Sequence, residues 1–301
     1  MDWVERVSRM RRWARQGERA PHKPLLLLYA LGRYQRDRTV GLRFTDTEAD
    51  LARLLAEYGP PRTTSPGYPF HHLTSDGFWH VSTEDGGASP GPGLGRLRAT
   101  GATGSLSPEL RADLDADPGL LARMARLLLD TNFAPSLHAD IRADTGLDID
   151  GADPDSGHAP RVLIPAPRRR DPALREQVLT AYEYRCAFCG YDGLLSRVPV
   201  GLEAAHVRWW AFEGPDTLSN ALCLCSLHHK LFDKGVLGLT ADRDITVSRS
   251  FVGRSDAARQ FVTDLVGRPL LAPQPGSPDV APDHIAWHST QVFRGTARTP
   301  A

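Results

Sequence analysis

The residues of this chain with the clearest chemical potential are its cysteines, which are grouped in the second half. All four lie within a forty-residue stretch: Cys186, Cys189, Cys223 and Cys225. Cys186-x2-Cys189 and Cys225-x2-His228 have the spacing of two metal-binding pairs, which predicts a closed, structural Cys₃His zinc site. Buried free cysteines are the alternative. Cys223 alternates with leucines in a strand-like run, so we expect it to pack in the core.

Three further polar residues stand around these ligands. His206 follows the strand-like run VGLEAAHV, Asn220 precedes a second strand, ALCLC, and His229 follows His228 on the next helix. Adjacent helical residues point about 100° apart. His229 is therefore expected to face away from the zinc and toward the strand of His206.

The order His206, Asn220, His229 inside a CxxC…CxxH frame resembles the HNH endonucleases, particularly the McrA-like branch with EAAH and LCxLHHxLFD. The resemblance implies a ββα-metal domain that hydrolyses DNA. His206 would be the general base, and His229 with His206 would hold a catalytic Mg²⁺ or Mn²⁺. Asn220 would fix the loop by hydrogen bonding.

Ala205 departs from that family pattern, because many HNH sites have an acidic metal ligand directly before the first histidine. Glu203, two residues earlier, either compensates or orients His229. A ligand set with fewer carboxylates makes Co²⁺ and Ni²⁺ alternatives to Mg²⁺.

Several neighbouring residues have two interpretations. Trp209 and Trp210 either wedge into DNA or pack in the core. Lys230 and the arginines at 168–170 either contact phosphates or belong to a solvated surface.

In the first half, ERAPHKPLLLLYAL and SPGYPFHHLTSDGFWHV resemble the DNA sulfur-binding domain of restriction enzymes that cut phosphorothioate-modified DNA. Sulfur is larger and more weakly hydrated than oxygen, so an apolar cavity discriminates between them. The resemblance implies two sets of residues. The cavity walls would be Tyr68, Pro69 and His72, and the contacts to phosphates or base edges would be Arg19, His22 and Lys23. Tyr-Pro as a turn element and His22-Lys23 as a helix start are the structural alternatives.

The elements that position these residues follow from periodicity and turn signals. Trp3, Val7 and Met10 recur at helical spacing, and Pro24 is expected to open an apolar helix. Further predicted elements are helices over 47–58, 120–129 and 173–185, a turn-rich stretch over 59–73, a strand in GFWHVS, a loop over 89–95 and a hairpin in GLTADRDITVS. Trp287 and Phe293 are expected to dock on the body.

Composition supports two soluble domains. The 301 residues are 41% hydrophobic and 24% charged, with no net charge and no apolar run long enough for a membrane helix. The charge is uneven, because residues 6–38 hold ten basic and two acidic residues. A basic face for DNA and a solvated helix face both fit this asymmetry. The N-terminus lacks a signal-peptide pattern, so a cytoplasmic location is expected.

The sequence therefore predicts an α+β chain with a mainly helical DNA-reading domain (1–148), a linker (149–172) and an HNH nuclease domain with a structural zinc (173–301). The predicted function is type IV-like restriction of phosphorothioate DNA by a homodimer, because two strands require two active sites. The alternatives are an HNH nuclease for methylated or unmodified DNA and a zinc-stabilised DNA-binding regulator without catalysis.

Overall fold

A computed structural model describes residues 2–10, 20–39, 41–149 and 171–300. The chain divides into two compact units, Met1–Ala166 and Pro167–Ala301. Arg19, the arginines at 168–170 and most of the expected linker lie outside the described residues.

The N-terminal unit is mainly helical, as predicted, and is organised around one buried helix. Its helices are α1 (Trp3–Met10), α2 (His22–Arg36), α3 (Phe44–Tyr58), α4 (Gly67–His72), α5 (Leu94–Ala99), α6 (Pro108–Ala116), α7 (Leu120–Asn132) and α8 (His138–Thr145). The apolar run LLLLYAL in α2 is buried on every face, which is typical of a core helix. Helices α3, α4, α7 and α8 pack against it.

A small antiparallel sheet completes this unit. Its strands are β1 (Leu42–Arg43), β2 (Trp79–Ser82) and β3 (Thr103–Leu106), in the order β1-β3-β2. Glycine at position 104 lets the Trp79 ring lie across β3, because a Cβ there would stand 2.0 Å from Cζ2 of that ring. The Trp79 indole N–H donates to the carbonyl oxygen of Phe70, which ties α4 to the sheet.

The structure differs from the expected elements at three places in this unit. Helix α2 begins at His22, so Pro24 is the third residue of its first turn, where a proline costs no hydrogen bond. The stretch expected to be only turns contains α4. The loop expected over 89–95 ends at Gly93, and α5 begins at Leu94.

The C-terminal unit consists of small antiparallel strand pairs with helices packed around them. Its elements are α9 (Leu174–Ala181), β4 (Leu194–Leu195), β5 (Val198–Pro199), β6 (Leu202–His206), β7 (Ala221–Cys225), α10 (Ser226–Asp233), β8 (Leu237–Leu239), β9 (Ile245–Val247), α11 (Asp256–Phe261) and α12 (Pro282–Gln291). Strand β6 pairs antiparallel with β7, from Leu202 opposite Cys225 to His206 opposite Ala221. With α10 directly following, these strands form the predicted ββα unit, and the predicted hairpin is β8–β9.

Aromatic packing fixes the last helix on this unit. The Trp287 ring lies 6.0 Å from Trp209 and 5.7 Å from Phe212 between centroids, and Phe293 is 9% exposed. The predicted docking of Trp287 and Phe293 is confirmed. Within the described ranges, no helix has the length and apolar character needed to cross a membrane.

Candidate active site and DNA-recognition pocket

The turn after α9 and the junction of β7 and α10 meet in a group of four metal-binding side chains. The donor atoms of Cys186, Cys189, Cys225 and His228 all lie within 4.8 Å of one another. Nδ1 of His228 is 3.4 Å from Sγ of Cys186 and 3.3 Å from Sγ of Cys225. Tetrahedral zinc with ordinary bond lengths separates its sulfur and nitrogen ligands by about 3.5 Å. The group therefore has the size and the chemistry of a metal site.

The surroundings of this group favour its ligand form. The Nε2–H of His228 donates to the carbonyl oxygen of Phe261 at 2.8 Å, which directs Nδ1 at the thiols. Hydrogen bonds from Cys189 and Cys225 lower the pKa of the Cys186 thiol, while hydrogen bonds with Cys186 and Cys225 raise the pKa of the Cys189 thiol. Without a metal, this pair therefore favours a thiolate at Cys186, and the thiolate is the form that binds metal. Cys223 is fully buried in the core, where burial raises its pKa to about 12.

The first two HNH residues lie where the connecting loop joins β6 to β7. His206 is the last residue of β6, and the fully buried Asn220 immediately precedes β7. Asn220 Oδ1 accepts from the Arg208 backbone N–H at 2.8 Å, and its amide donates to the carbonyl oxygens of Arg208 and Pro215, each at 3.0 Å. The Asn220 side chain therefore closes the loop between the two strands.

The third HNH residue, His229, lies on α10 between two carboxylates. Its Nδ1 is 2.6 Å from Glu203 on β6, and its Nε2 is 3.2 Å from Asp233. Burial lowers the pKa of His229, but the charges of Asp233 and Glu203 outweigh this and raise it to about 10. Asp233 is itself held by the indole N–H of Trp209 at 2.8 Å.

The position of Ala205 explains why an acid is absent there. Ala205 is fully buried opposite Leu222, so a carboxylate at this position would lose its hydration without a partner. Glu203 is the acidic residue that reaches His229, and its side chain is 44% exposed. The hydrogen bond with His229 keeps the pKa of Glu203 near 2.

For the catalytic ion, the donor chemistry fits better around His229 than between the two histidines. In the described part of the chain, only the Cys₃His group brings three or more donor atoms together. His206 and His229 are each paired with different carboxylates. Carboxylate oxygens suit Mg²⁺ or Mn²⁺, and Glu203 and Asp233 supply them at His229. Because the raised pKa keeps a proton on the His229 ring, a bound cation would have to displace that proton.

Sequence reasoning missed two acids of this site, Asp216 and Asp233. Asp216 Oδ1 lies 2.8 Å from Nε2 of His206. The helical spacing of Asp233, four residues after His229, was a usable signal. Asp216 lies in an irregular loop, and nothing in the local pattern indicates its contact. Trp209 is only 1% exposed, so it belongs to the core.

The N-terminal unit contains a cavity of about 570 Å³ beside the start of α2. Its described lining includes His22, Lys23 and Tyr68, which sequence analysis assigned to DNA binding. Lys23 is ion-paired with Asp76 at 2.6 Å, and the His22 ring is hydrogen-bonded to Thr64 at 2.9 Å. Asp76 and Thr64 line the same cavity, and sequence reasoning missed both.

Helix α4 places the three expected wall residues on two different faces, with Tyr68 and His72 on one and Pro69 on the other. Tyr68 and His72 are four residues apart on one face, with ring centroids 4.3 Å apart, and Tyr68 is 46% exposed. Pro69 points into the unit and is buried. Neither Pro69 nor His72 is among the described lining residues of the cavity. Burial, followed by the charges of His71 and Lys23, lowers the pKa of His72, which favours a neutral ring beside Tyr68.

Each half of the chain matches a known protein-family model. Residues 1–150 match the model described as "ScoMcrA-like, DNA sulfur-binding domain", and residues 186–240 match the model described as "HNH endonuclease". The two define a DNA-binding module joined to a nuclease module. The chain therefore contains one domain similar to each of these two families. The similarity to both families proposed from the sequence is thereby confirmed.

Solved structures give partial matches to the N-terminal half. The sulfur-binding domain of ScoMcrA complexed with phosphorothioated DNA is 26% identical, covers 49% of this chain and 96% of that chain, and has a TM-score of 0.41. The SprMcrA domain with phosphorothioated DNA is 26% identical over 48% of this chain and 95% of that chain, with a TM-score of 0.39. The type IV phosphorothioation-dependent restriction endonuclease ScoMcrA is 25% identical over 49% of this chain but only 28% of that chain, with a TM-score of 0.39. No curated protein matches the chain.

The metal-binding group predicts contrasting effects for two nearby cysteines. Cys225→Ala removes a donor and is expected to reduce bound zinc well below one equivalent and to unfold the C-terminal unit at lower temperature, because metal binding contributes directly to folding. Cys223→Ala, the matched control, should keep one zinc per chain. Elemental analysis with calorimetry measures both quantities. Equal zinc content in the two variants would contradict the assignment of the ligands.

Proposed function

We propose that this chain is a type IV-like restriction endonuclease that recognises phosphorothioate-modified DNA in the cytoplasm and hydrolyses nearby phosphodiester bonds. The observation that carries the proposal is the presence of a sulfur-binding domain and an HNH domain in one chain. A binding regulator has no need for the organised set of His206, Asn220 and His229. An HNH nuclease for methylated or unmodified DNA has no need for the sulfur-binding domain.

The recognition step is assigned to the cavity beside α2 and the adjoining face of α4. The exposed Tyr68 ring packs against His72 and lies 6.2 Å from the His22 ring between centroids. Such a row of rings offers a weakly hydrated surface, which costs sulfur less desolvation than oxygen. Lys23, ion-paired with Asp76, and His22, bonded to Thr64, place hydrogen-bonding groups next to this surface. Arg19 is proposed to contact the neighbouring phosphates. Pro69 is buried and packs α4 against the rest of the unit.

The cleavage step is assigned to the end of the β6–β7 pair. His206 takes a proton from a water molecule, whose oxygen attacks phosphorus as the bond to the 3′ oxygen breaks. Asn220 holds the loop that shapes this end of the sheet. His229 and Glu203 are proposed to hold the divalent cation. When bound, this cation neutralises the charge that develops on the phosphate. The Cys₃His group is proposed to bind a structural zinc.

The cleavage proposal predicts that DNA cutting requires the phosphorothioate modification and depends on His206. With Mg²⁺ or Mn²⁺ present, the chain is expected to cut a phosphorothioate-modified plasmid and to leave an unmodified plasmid of the same sequence intact. His206→Ala should cut about 10²–10⁴-fold more slowly, which is the usual contribution of a general base. His80→Ala, an exposed histidine of the other unit, is the control.

Each part of that experiment tests a separate claim. Equal cutting of the two plasmids would disprove the recognition of sulfur. A His206→Ala variant as fast as the parent would disprove the catalytic assignment. Tight binding of DNA without cutting in Mg²⁺, Mn²⁺, Co²⁺ or Ni²⁺ would favour a DNA-binding regulator without catalysis.

We also propose that the enzyme is a homodimer, since cutting both strands requires two centres. Exposed apolar side chains near the Cys₃His group support a homodimer. Ten large apolar side chains are exposed among the described residues, and five of them lie in or beside the β4–β5 hairpin: Tyr191, Leu194, Leu195, Val198 and Val200. Residues 191–200 carry one acid and one base, so the hairpin lacks the basic surface that phosphates attract. Apolar patches of this kind mark protein contacts.

The homodimer proposal predicts that charge on this hairpin separates the subunits. The parent chain should sediment at twice the 33.0 kDa of one chain, and Leu194→Glu should sediment as a monomer that nicks one strand. Val252→Glu, at a site 77% exposed on the same unit, should remain dimeric. A parent that stays monomeric at micromolar concentration would contradict the proposal.

A further inference from the structure

We propose that Asp216 is a positioning residue for His206: its carboxylate holds the Nε2–H of the ring, so that Nδ1 is the atom that takes the proton from water. This inference rests on the proposed nuclease function. Asp216 Oδ1 lies 2.8 Å from His206 Nε2, and the two side chains are only 13% and 16% exposed. At that degree of burial, water competes little for the hydrogen bond.

The carboxylate of Asp216 is itself fixed from a second direction. Its other oxygen, Oδ2, accepts the backbone N–H of Asp171 at 2.8 Å. Asp171 stands at the start of α9, where its own carboxylate accepts the backbone N–H of Ala173, and α9 packs against β6. The Asp216 side chain therefore bridges the beginning of the nuclease unit and the end of the strand that carries His206.

The backbone around Asp216 is equally constrained. The preceding residue, Pro215, accepts a hydrogen bond from the buried amide of Asn220. Asn220 thus fixes the loop, and the loop presents the Asp216 carboxylate to His206. This gives Asn220 a physical connection to the general base through a second residue.

The chemical consequence follows from the donor and acceptor capacities of the two groups. An ionised carboxylate can only accept hydrogen bonds, so the ring atom facing it must be N–H. A neutral imidazole with hydrogen on Nε2 has its lone pair on Nδ1. In the reaction, one water proton moves to Nδ1 and the water oxygen bonds to phosphorus. The bond from phosphorus to the 3′ oxygen breaks, and that oxygen takes a proton from solvent. The negative charge of Asp216 stabilises the His206 imidazolium that forms when Nδ1 takes the proton.

The test combines kinetics with a direct observation of the ring. In zinc-loaded full-length protein, Asp216→Asn and Asp216→Glu are compared with Asp256→Asn, an exposed acid of the same unit whose side chain is 90% exposed. Three quantities are measured: the single-turnover cleavage rate, the affinity for modified DNA, and the ¹⁵N chemical shifts of His206, which report the tautomer.

Asp216→Asn is expected to cleave about 10–100-fold more slowly, the range found when the hydrogen-bonding partner of a metal-binding histidine is removed. DNA affinity, zinc content and Mn²⁺ binding should stay unchanged. The nitrogen shifts should move away from the Nε2–H form. Asp216→Glu should recover part of the rate, and Asp256→Asn should behave as the parent.

Three results would overturn the proposal: an unchanged His206 tautomer in Asp216→Asn, a rate that falls only in proportion to lost zinc or lost folding, or a loss of Mn²⁺ binding, which would make Asp216 a metal ligand. If the parent itself does not cut DNA, the proposed nuclease function fails. The nitrogen shifts still decide whether Asp216 sets the tautomer.

Discussion

The rest of the nuclease site depends on the closure of four side chains, Cys186, Cys189, Cys225 and His228, into one metal-sized group. Three of these donors are thiols, of which Cys186 is buried, Cys225 half-buried and Cys189 exposed. A bound cation would compensate the negative charge of their thiolate forms. With an ion they connect the loop after α9 to the junction of β7 and α10. That junction sets the direction of α10, and α10 carries His229. The position of the third HNH residue is therefore a consequence of the group beside it.

A second constraint operates at the other end of the same strand pair, where polar side chains replace the metal. There Asn220 closes the loop and Asp216 contacts His206. Glu203, near the Cys225 end of β6, and Asp233 on α10 flank His229. The functional groups therefore sit between a metal-sized cluster at one end and a hydrogen-bonded loop at the other. The short β6–β7 pair links the two. This arrangement lets a unit with little regular secondary structure hold catalytic side chains in fixed positions.

Much of this was predictable because ligand spacing is local in sequence. The CxxC and CxxH pairs, the order His206, Asn220, His229 and the ββα elements were all visible in the sequence. The contact between Asp216 and His206 was not, since it depends on how an irregular loop folds. In the first unit, Tyr68 and Pro69 were recognised together, but helix α4 directs one outward and the other inward. A helix of six residues that itself contains Gly67 and Pro69 gives little periodic signal.

The two halves also differ in what carries the function. In the proposed function, cutting would depend on a few side chains at the β6–β7 pair, whereas recognition would depend on how one sulfur atom is accommodated beside Tyr68. The most direct measurement is the affinity of the His206→Ala chain for two duplexes that differ only in one phosphorothioate sulfur, followed by fluorescence anisotropy. The proposed recognition of sulfur predicts clearly tighter binding to the sulfur-containing duplex, and a smaller difference after Tyr68→Ala. Equal affinity for the two duplexes would contradict it.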